Sequence, residues 1–211
     1  MSFAVAVVGP AGSGKSTVAR ELARRASAVY LDKDTLAGPL VEAALAASGN
    51  ESSDRESSDF YRTRLMPSEY SALFAVAGDN LRLGHDVVMD APFAAYLDSP
   101  DFFLRSAAAG GWPGSRSFVL RVLAPEAVIK TRLLTRGLAR DVAKLGDWDA
   151  FWTRWGTTPV AWEGVQVLDV VNDDAGADVG AVLEQIRDAD RIRANTERPT
   201  STERPTSGEF R

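Results

Sequence analysis

Along the chain, short runs dense in apolar and β-branched residues alternate with longer stretches in which apolar positions recur every three or four residues. FAVAVVG (3–9), AVYLD (28–32), DVVMDA (86–91), SFVLRVL (117–123) and VQVLDV (165–170) read as five strands. The central runs are almost continuously apolar, the pattern of parallel strands covered on both faces. Helical periodicity falls at about 15–27, 34–48, 65–83, 125–145 and 177–190. This β–α alternation predicts an α/β fold: a five-stranded parallel sheet between two helical layers, joined by right-handed crossovers. Two segments break the pattern. GNESSDRESSD (49–59) is polar and turn-rich and predicts a mobile surface loop. TERPTS occurs twice in succession, at 196–201 and 202–207, and predicts that 191–211 form a disordered polar tail after a single domain spanning 1–190.

Composition narrows the chemistry. The 211 residues carry a net charge of −5, and −7 once 191–211, with their five arginines and three glutamates, are set aside. A body this acidic is a poor general partner for nucleic acid, whose binding depends on neutralising phosphates. There is no cysteine and one histidine (His85, read as a surface turn residue), so thiol nucleophiles, Cys-ligated zinc and a Ser-His-Asp triad are set aside. No run approaches the ~18 apolar residues of a membrane span, and the N-terminus lacks signal-peptide character, so a cytoplasmic protein is expected.

The segment between the first strand and the first helix carries the sharpest chemistry. Gly9-Pro10-Ala11-Gly12-Ser13-Gly14-Lys15-Ser16 fits G-x-x-x-x-G-K-[ST] at every specified position. Gly9, Gly12 and Gly14 permit backbone angles that let successive N–H groups, Ser13 and Thr17 included, cradle phosphates at a helix N-terminus. Lys15 can place its ammonium against the β- and γ-phosphates, and the Ser16 hydroxyl can ligate Mg²⁺. The expected cofactors are ATP and Mg²⁺. The second strand then ends in Asp32-Lys33-Asp34, at the sheet edge where ligands bind in open parallel sheets. A carboxylate there can take a proton from an attacking hydroxyl or help hold Mg²⁺, although Asp34 is equally placed to cap the next helix.

With GPAGSGKST at 9–17 and D-x-D closing the second strand, the chain resembles the small phosphate-loop kinases: gluconate kinase, adenylylsulfate kinase, chloramphenicol phosphotransferase, polynucleotide kinase and the zeta toxins. The resemblance implies a nucleoside-monophosphate-kinase-like fold and transfer of the ATP γ-phosphate to the hydroxyl of a small molecule. It implies Asp34 as the base, with Asp32 supporting it or the metal. Asp90, ending the third strand, would act as a Walker B-like carboxylate reaching Mg²⁺ through water or orienting the acceptor. Arg132, Arg136 and Arg140 form one basic stripe, which the resemblance places in a lid (about 130–155) closing over the phosphates. The alternative is a solvated face paired with acids such as Asp141, and Gly137 interrupts the helix so that Arg140 can stand on a loop. Such kinases bind the acceptor between the second and third strands, where Tyr61 and Arg64 are available to clamp it, or else to pack a helix face. The aromatic run 148–155 reads as lid or core packing. The acceptor stays open among sugars, nucleosides, antibiotics and other metabolites, as does the oligomeric state. A zeta-toxin-like kinase of a nucleotide sugar and a nucleotide-dependent switch without an acceptor remain the alternatives.

Overall fold

β1 (Phe3–Val8) lies at the centre of the sheet, and its apolar run explains why: all six residues are buried, with alternate side chains serving opposite faces. The computed structural model describes residues 2–49, 58–138 and 141–196. With β2 (Val29–Asp32), β3 (Val87–Asp90), β4 (Arg116–Leu123) and β5 (Gln166–Val171), the sheet runs β2-β3-β1-β4-β5, and every neighbouring pair is parallel. Phe3, Val5 and Val7 pack under α1 (Lys15–Ala26) and α8 (Val179–Thr196). Ala4, Ala6 and Val8 face α3 (Met66–Arg82) and α4 (Phe102–Ala109). Leu22 of α1 and Ile186 of α8 are fully buried, and truncating either to Ala would cost about 2–5 kcal/mol. β5 differs because only one of its faces is covered: Leu168 and Val170 are buried, while Val167 and Val171 are exposed.

This topology puts the carboxyl ends of β1, β2 and β3 side by side. Register fixes it further, since Asp32 of β2 lies directly opposite Asp90 of β3. α2 (Lys33–Ala47) begins immediately after β2 because Asp32 itself caps it, accepting the Thr35 N–H at 2.8 Å. The capping role anticipated for Asp34 therefore belongs to Asp32.

Three elements differ from the sequence expectation. The helix expected over 125–145 is divided, because Gly137 adopts a left-handed conformation (φ 59°) and ends α5 (Glu126–Arg136). α6 (Val142–Gly146) and α7 (Trp148–Trp155) follow, with Asp147 capping α7 through the Ala150 N–H. α4 was not anticipated; it is eight residues long and is secured chiefly by buried Phe102 and Phe103. α8 continues to Thr196, beyond the expected domain end at residue 190. His85 is exposed after the turn at Gly84, as expected. Residues 50–57 of the expected polar loop, Arg140, and the TERPTS repeats beyond Thr196 lie outside the described residues.

Candidate active site

The glycine-rich turn between β1 and α1 is shaped by contacts that exclude side chains. Gly9 has φ 152°, and a Cβ there would lie 2.4 Å from the Val122 carbonyl oxygen. Gly14 has φ 89°, and a Cβ there would lie 2.2 Å from the side-chain nitrogen of Asn172. That nitrogen donates to the Ser13 carbonyl at 2.7 Å, so the residue following β5 ties down the loop following β1. Lys15 Nζ donates to the Pro10 carbonyl at 3.0 Å, folding its chain back across the turn.

The turn forms one end of a cavity of about 770 Å³ at the carboxyl edge of the sheet. Gly9, Gly12, Gly14, Lys15, Ser16 and Thr17 line it, as do Asp32, Asp34, Asp90, Arg132 and Arg136. Segments distant in sequence are thus gathered around one space. Ser13, expected to contribute through its backbone, is not part of the lining: its N–H donates to the Pro10 carbonyl at 3.2 Å, and its side chain is fully buried, with the Oγ lacking a hydrogen-bond partner among the described residues. Tyr61 and Arg64 are corrections. Both belong to a π-helical turn (Tyr61–Leu65) preceding α3, and neither reaches the cavity. Tyr61 is buried, with its hydroxyl donating to Glu69 at 2.7 Å, while Arg64 is exposed.

Charge is segregated across the cavity. At the end formed by the glycine-rich turn and α5 are cations held by specific partners. Arg132 donates to the backbone carbonyls of Asn172 and Asp173 at 3.0 and 2.9 Å. Arg136 makes a two-pronged contact with Asp141 at 2.5 and 2.8 Å, the pairing with a nearby acid that the sequence left as an alternative. Asp141 is buried, and the Arg136 hydrogen bonds hold its carboxyl below the ordinary aspartate range. Lys144 of α6, also on the cavity wall, lies 3.5 Å from the same carboxylate.

The strand-end wall is acidic. Asp32 and Asp90 share the Tyr30 hydroxyl, at 3.1 and 2.8 Å. One hydroxyl proton can serve only one carboxylate at a time, so the phenol bridges the pair in alternation. Burial, then the bond to Asp90, raises the Tyr30 pKa well above the usual phenol value. Asp34, on the first turn of α2, contributes a side chain that is 55% exposed. Ala91, Pro92, Ala94 and Leu97 from the segment after β3, and Trp155 from α7, add apolar lining on the side of the Phe93 cluster, while Phe151 of α7 packs with Ala11 of the glycine-rich turn and with α5. Phe93 carries this segment through a left-handed conformation (φ 50°), with its ring buried and its N–H donating to the Tyr70 hydroxyl at 3.0 Å.

Tyr30, Asn172 and Lys144 had no assigned role in the sequence reading, and Trp155 was read there only as lid or core packing. Tyr30 was within reach of it, since a residue two before Asp32 on a strand shares its face. Asn172 follows the fifth strand at the ligand-bearing edge, so the topology alone singles it out.

The residues present fit a nucleoside triphosphate and Mg²⁺. The turn lines the cavity with glycines whose conformation and close packing exclude side chains, it opens at a helix N-terminus, and Ser16 lies on the cavity wall. Among the described residues no three His, Cys, Asp or Glu side chains cluster as a self-sufficient metal site. That suits Mg²⁺ held by one or two protein ligands together with substrate phosphates.

Comparison with known proteins places this geometry. The fold is similar to that of a Chloroflexus aurantiacus protein described as a candidate kinase, with a TM-score of 0.65, 21% identity, and coverage of 90% of this chain and 97% of that one. A sugar kinase from Janibacter sp. HTCC2649 is similar at TM-score 0.53 and 17% identity, covering 94% and 100%. The Deinococcus radiodurans tunicamycin resistance protein is similar at TM-score 0.52 and 18% identity, covering 91% and 96%. No curated protein sequence matches the chain. No helix among the described residues is long and apolar enough to cross a membrane. Residues 5–154, most of the chain, match the family model described as an AAA domain, and the chain belongs to that family of phosphate-loop proteins.

Proposed function

We propose that the protein is an ATP- and Mg²⁺-dependent kinase that transfers the γ-phosphate to a hydroxyl of a small-molecule acceptor. The observation that carries this reading is that the phosphate-binding turn and Asp34 line one cavity, with apolar lining added by the segment after β3 and by Trp155. A nucleotide-dependent switch has no need of that second compartment.

In the proposed reaction, backbone N–H groups of the turn and Lys15 hold the triphosphate, and Ser16 holds Mg²⁺, which neutralises charge on the phosphates. The acceptor oxygen forms a bond to the γ-phosphorus as the bond to the β,γ-bridging oxygen breaks, and ADP departs. The hydroxyl proton passes to Asp34, whose exposed carboxylate faces the space the acceptor would fill. Arg132 and Arg136, on the segment 130–155 that we read as a lid, stabilise the transferred charge; Arg140, the third arginine of the stripe read from the sequence, lies outside the described residues. Asp32 and Asp90, bridged by Tyr30, shape the acidic floor between the two compartments.

The wall offered to the acceptor has three carboxylates against two neighbouring cations, Lys33 at 2.8 Å from Asp34 and Arg20 at 3.8 Å from Asp32, neither of which lines the cavity. That arrangement favours an acceptor without acidic groups, and weighs against the nucleotide-sugar alternative, whose diphosphate would need basic partners there. The test is a metabolite-library screen with ATP, comparing wild type with Asp34→Asn and Lys15→Ala. Phosphorylation of a neutral or cationic alcohol, lost in both variants, supports the reading. Equal transfer by Asp34→Asn removes the base assignment, and tight nucleotide binding without ATP consumption over the whole library removes the kinase.

A further inference from the structure

Lys33 stands between two cavity acids in sequence, yet its side chain turns away from the cavity and is only 4% exposed. Its Nζ lies 2.8 Å from Asp34 Oδ1 and 2.9 Å from Glu69 Oε1, and 5.9 Å from the centroid of the Tyr70 ring. Glu69, on α3, is 1% exposed, and its second carboxylate oxygen accepts the Tyr61 hydroxyl at 2.7 Å. A chain of contacts therefore runs from the exposed Asp34 through a buried cation and a buried anion to a buried phenol. It spans α2, α3 and the π-helical turn.

A buried ion pair is not explained by stability, because apolar residues of similar volume usually serve the fold as well or better. The surroundings are suited to them, with Ala37, Val41, Leu45, Leu65 and Met66 packed around Tyr61. What an apolar pair would lack is a donor for Asp34. We propose that Lys33 and Glu69 are a positioning pair: Glu69, itself fixed by Tyr61, holds the Lys33 ammonium, and Lys33 holds the Asp34 carboxylate at the cavity. The Glu69 charge balances that of Lys33, so the anchor does not leave an uncompensated cation beneath the acidic wall. The role of the pair in transfer rests on the reading of Asp34 as proton acceptor; the anchoring itself does not.

The test uses the full chain carrying the double substitution Lys33→Met/Glu69→Leu. A merely structural pair predicts that the variant folds, keeps Asp34 where it is, and keeps its turnover. Positioning predicts a melting temperature within about 5 °C of wild type, a crystal structure in which the Asp34 carboxylate has left its present place, and a split kinetic effect. The kcat for phosphate transfer, to acceptor or to water, falls about 10²-fold, while the KM for ATP changes less than about twofold, since no contact to the glycine-rich turn is removed. If the double variant does not fold, Lys33→Gln is read in the same way, its side chain being too short to span both carboxylates. Asp34 remaining in place in the variant crystal overturns the proposal, as does undiminished kcat where wild type turns over. If Asp34→Asn transfers phosphate normally, the base assignment falls, and the position of Asp34 in the variant crystal still decides the anchoring.

Discussion

In the proposed kinase, the two ends of the cavity recognise their ligands by different means. The phosphate end is built from consecutive residues, 9–17, whose backbone does most of the binding. The acceptor end draws on Asp32, Asp34, Asp90, Leu97 and Trp155, side chains brought from two strand ends, a turn and two helices. Triphosphates present the same charged surface to every protein, so a cradle of N–H groups serves without variation. Acceptors differ in shape and polarity, and only side chains can follow them.

The contrast can be broken from either end. Lys15→Ala removes the one cation inside the cradle, and phosphate transfer should fall by about 10³-fold or more. Steady-state kinetics with saturating acceptor checks it, and an unchanged rate would deny the turn its catalytic part. Asp34→Asn should lower kcat by about 10²- to 10⁴-fold while leaving ATP affinity, measured by calorimetry, intact. A joint loss of both would mean that the two ends are not separable. Trp155→Ala should raise the acceptor KM by about tenfold with the KM for ATP unchanged, as expected for one aromatic wall removed from a single compartment. Asn172→Ala should weaken ATP binding by about five- to tenfold, the value of one hydrogen bond holding the loop in shape.

The smallest effect concerns pH. Because Arg136 holds the Asp141 carboxyl below its ordinary range, the ionised form stabilises the fold above about pH 4. That contribution fades as the pH falls through the lower folded-state value. Asp141→Asn should therefore be less stable than wild type at pH 7 by about 1–2 kcal/mol, and the gap should narrow as the pH falls below about 4. Denaturant titrations across this range measure it, and a gap independent of pH would assign the loss to packing instead.

The same contrast explains what the sequence made legible. Five strands, their parallel pairing and the phosphate cradle follow from local pattern: apolar runs, β–α alternation, glycine spacing, one lysine and one serine in series. Asp32, Asp34 and Asp90 were found for a related reason, because Asp32 and Asp90 close strands at the edge where parallel sheets bind ligands and Asp34 follows two residues after the first of them. Tyr61 and Arg64 were misplaced because composition cannot say which face of a helical turn meets the cavity. Tyr61 instead serves Glu69, and Arg64 faces away from the cavity. The divided lid helix turns on the positive φ of Gly137, a signal present in the sequence but shared with glycines that helices tolerate. Lys33 was read past because a lysine between two aspartates suggests solvent, and only the position of α3 shows the buried glutamate waiting for it.

The bond from Asn172 to the Ser13 carbonyl joins residues 159 positions apart. The glycine-rich turn is synthesised well before the residue that braces it, which follows only with the fifth strand. Nucleotide affinity is therefore acquired late in synthesis, when β5 docks beside β4 and delivers Asn172. A nascent or truncated chain ending before that strand carries the whole phosphate-binding motif and only a loosened version of the site it encodes.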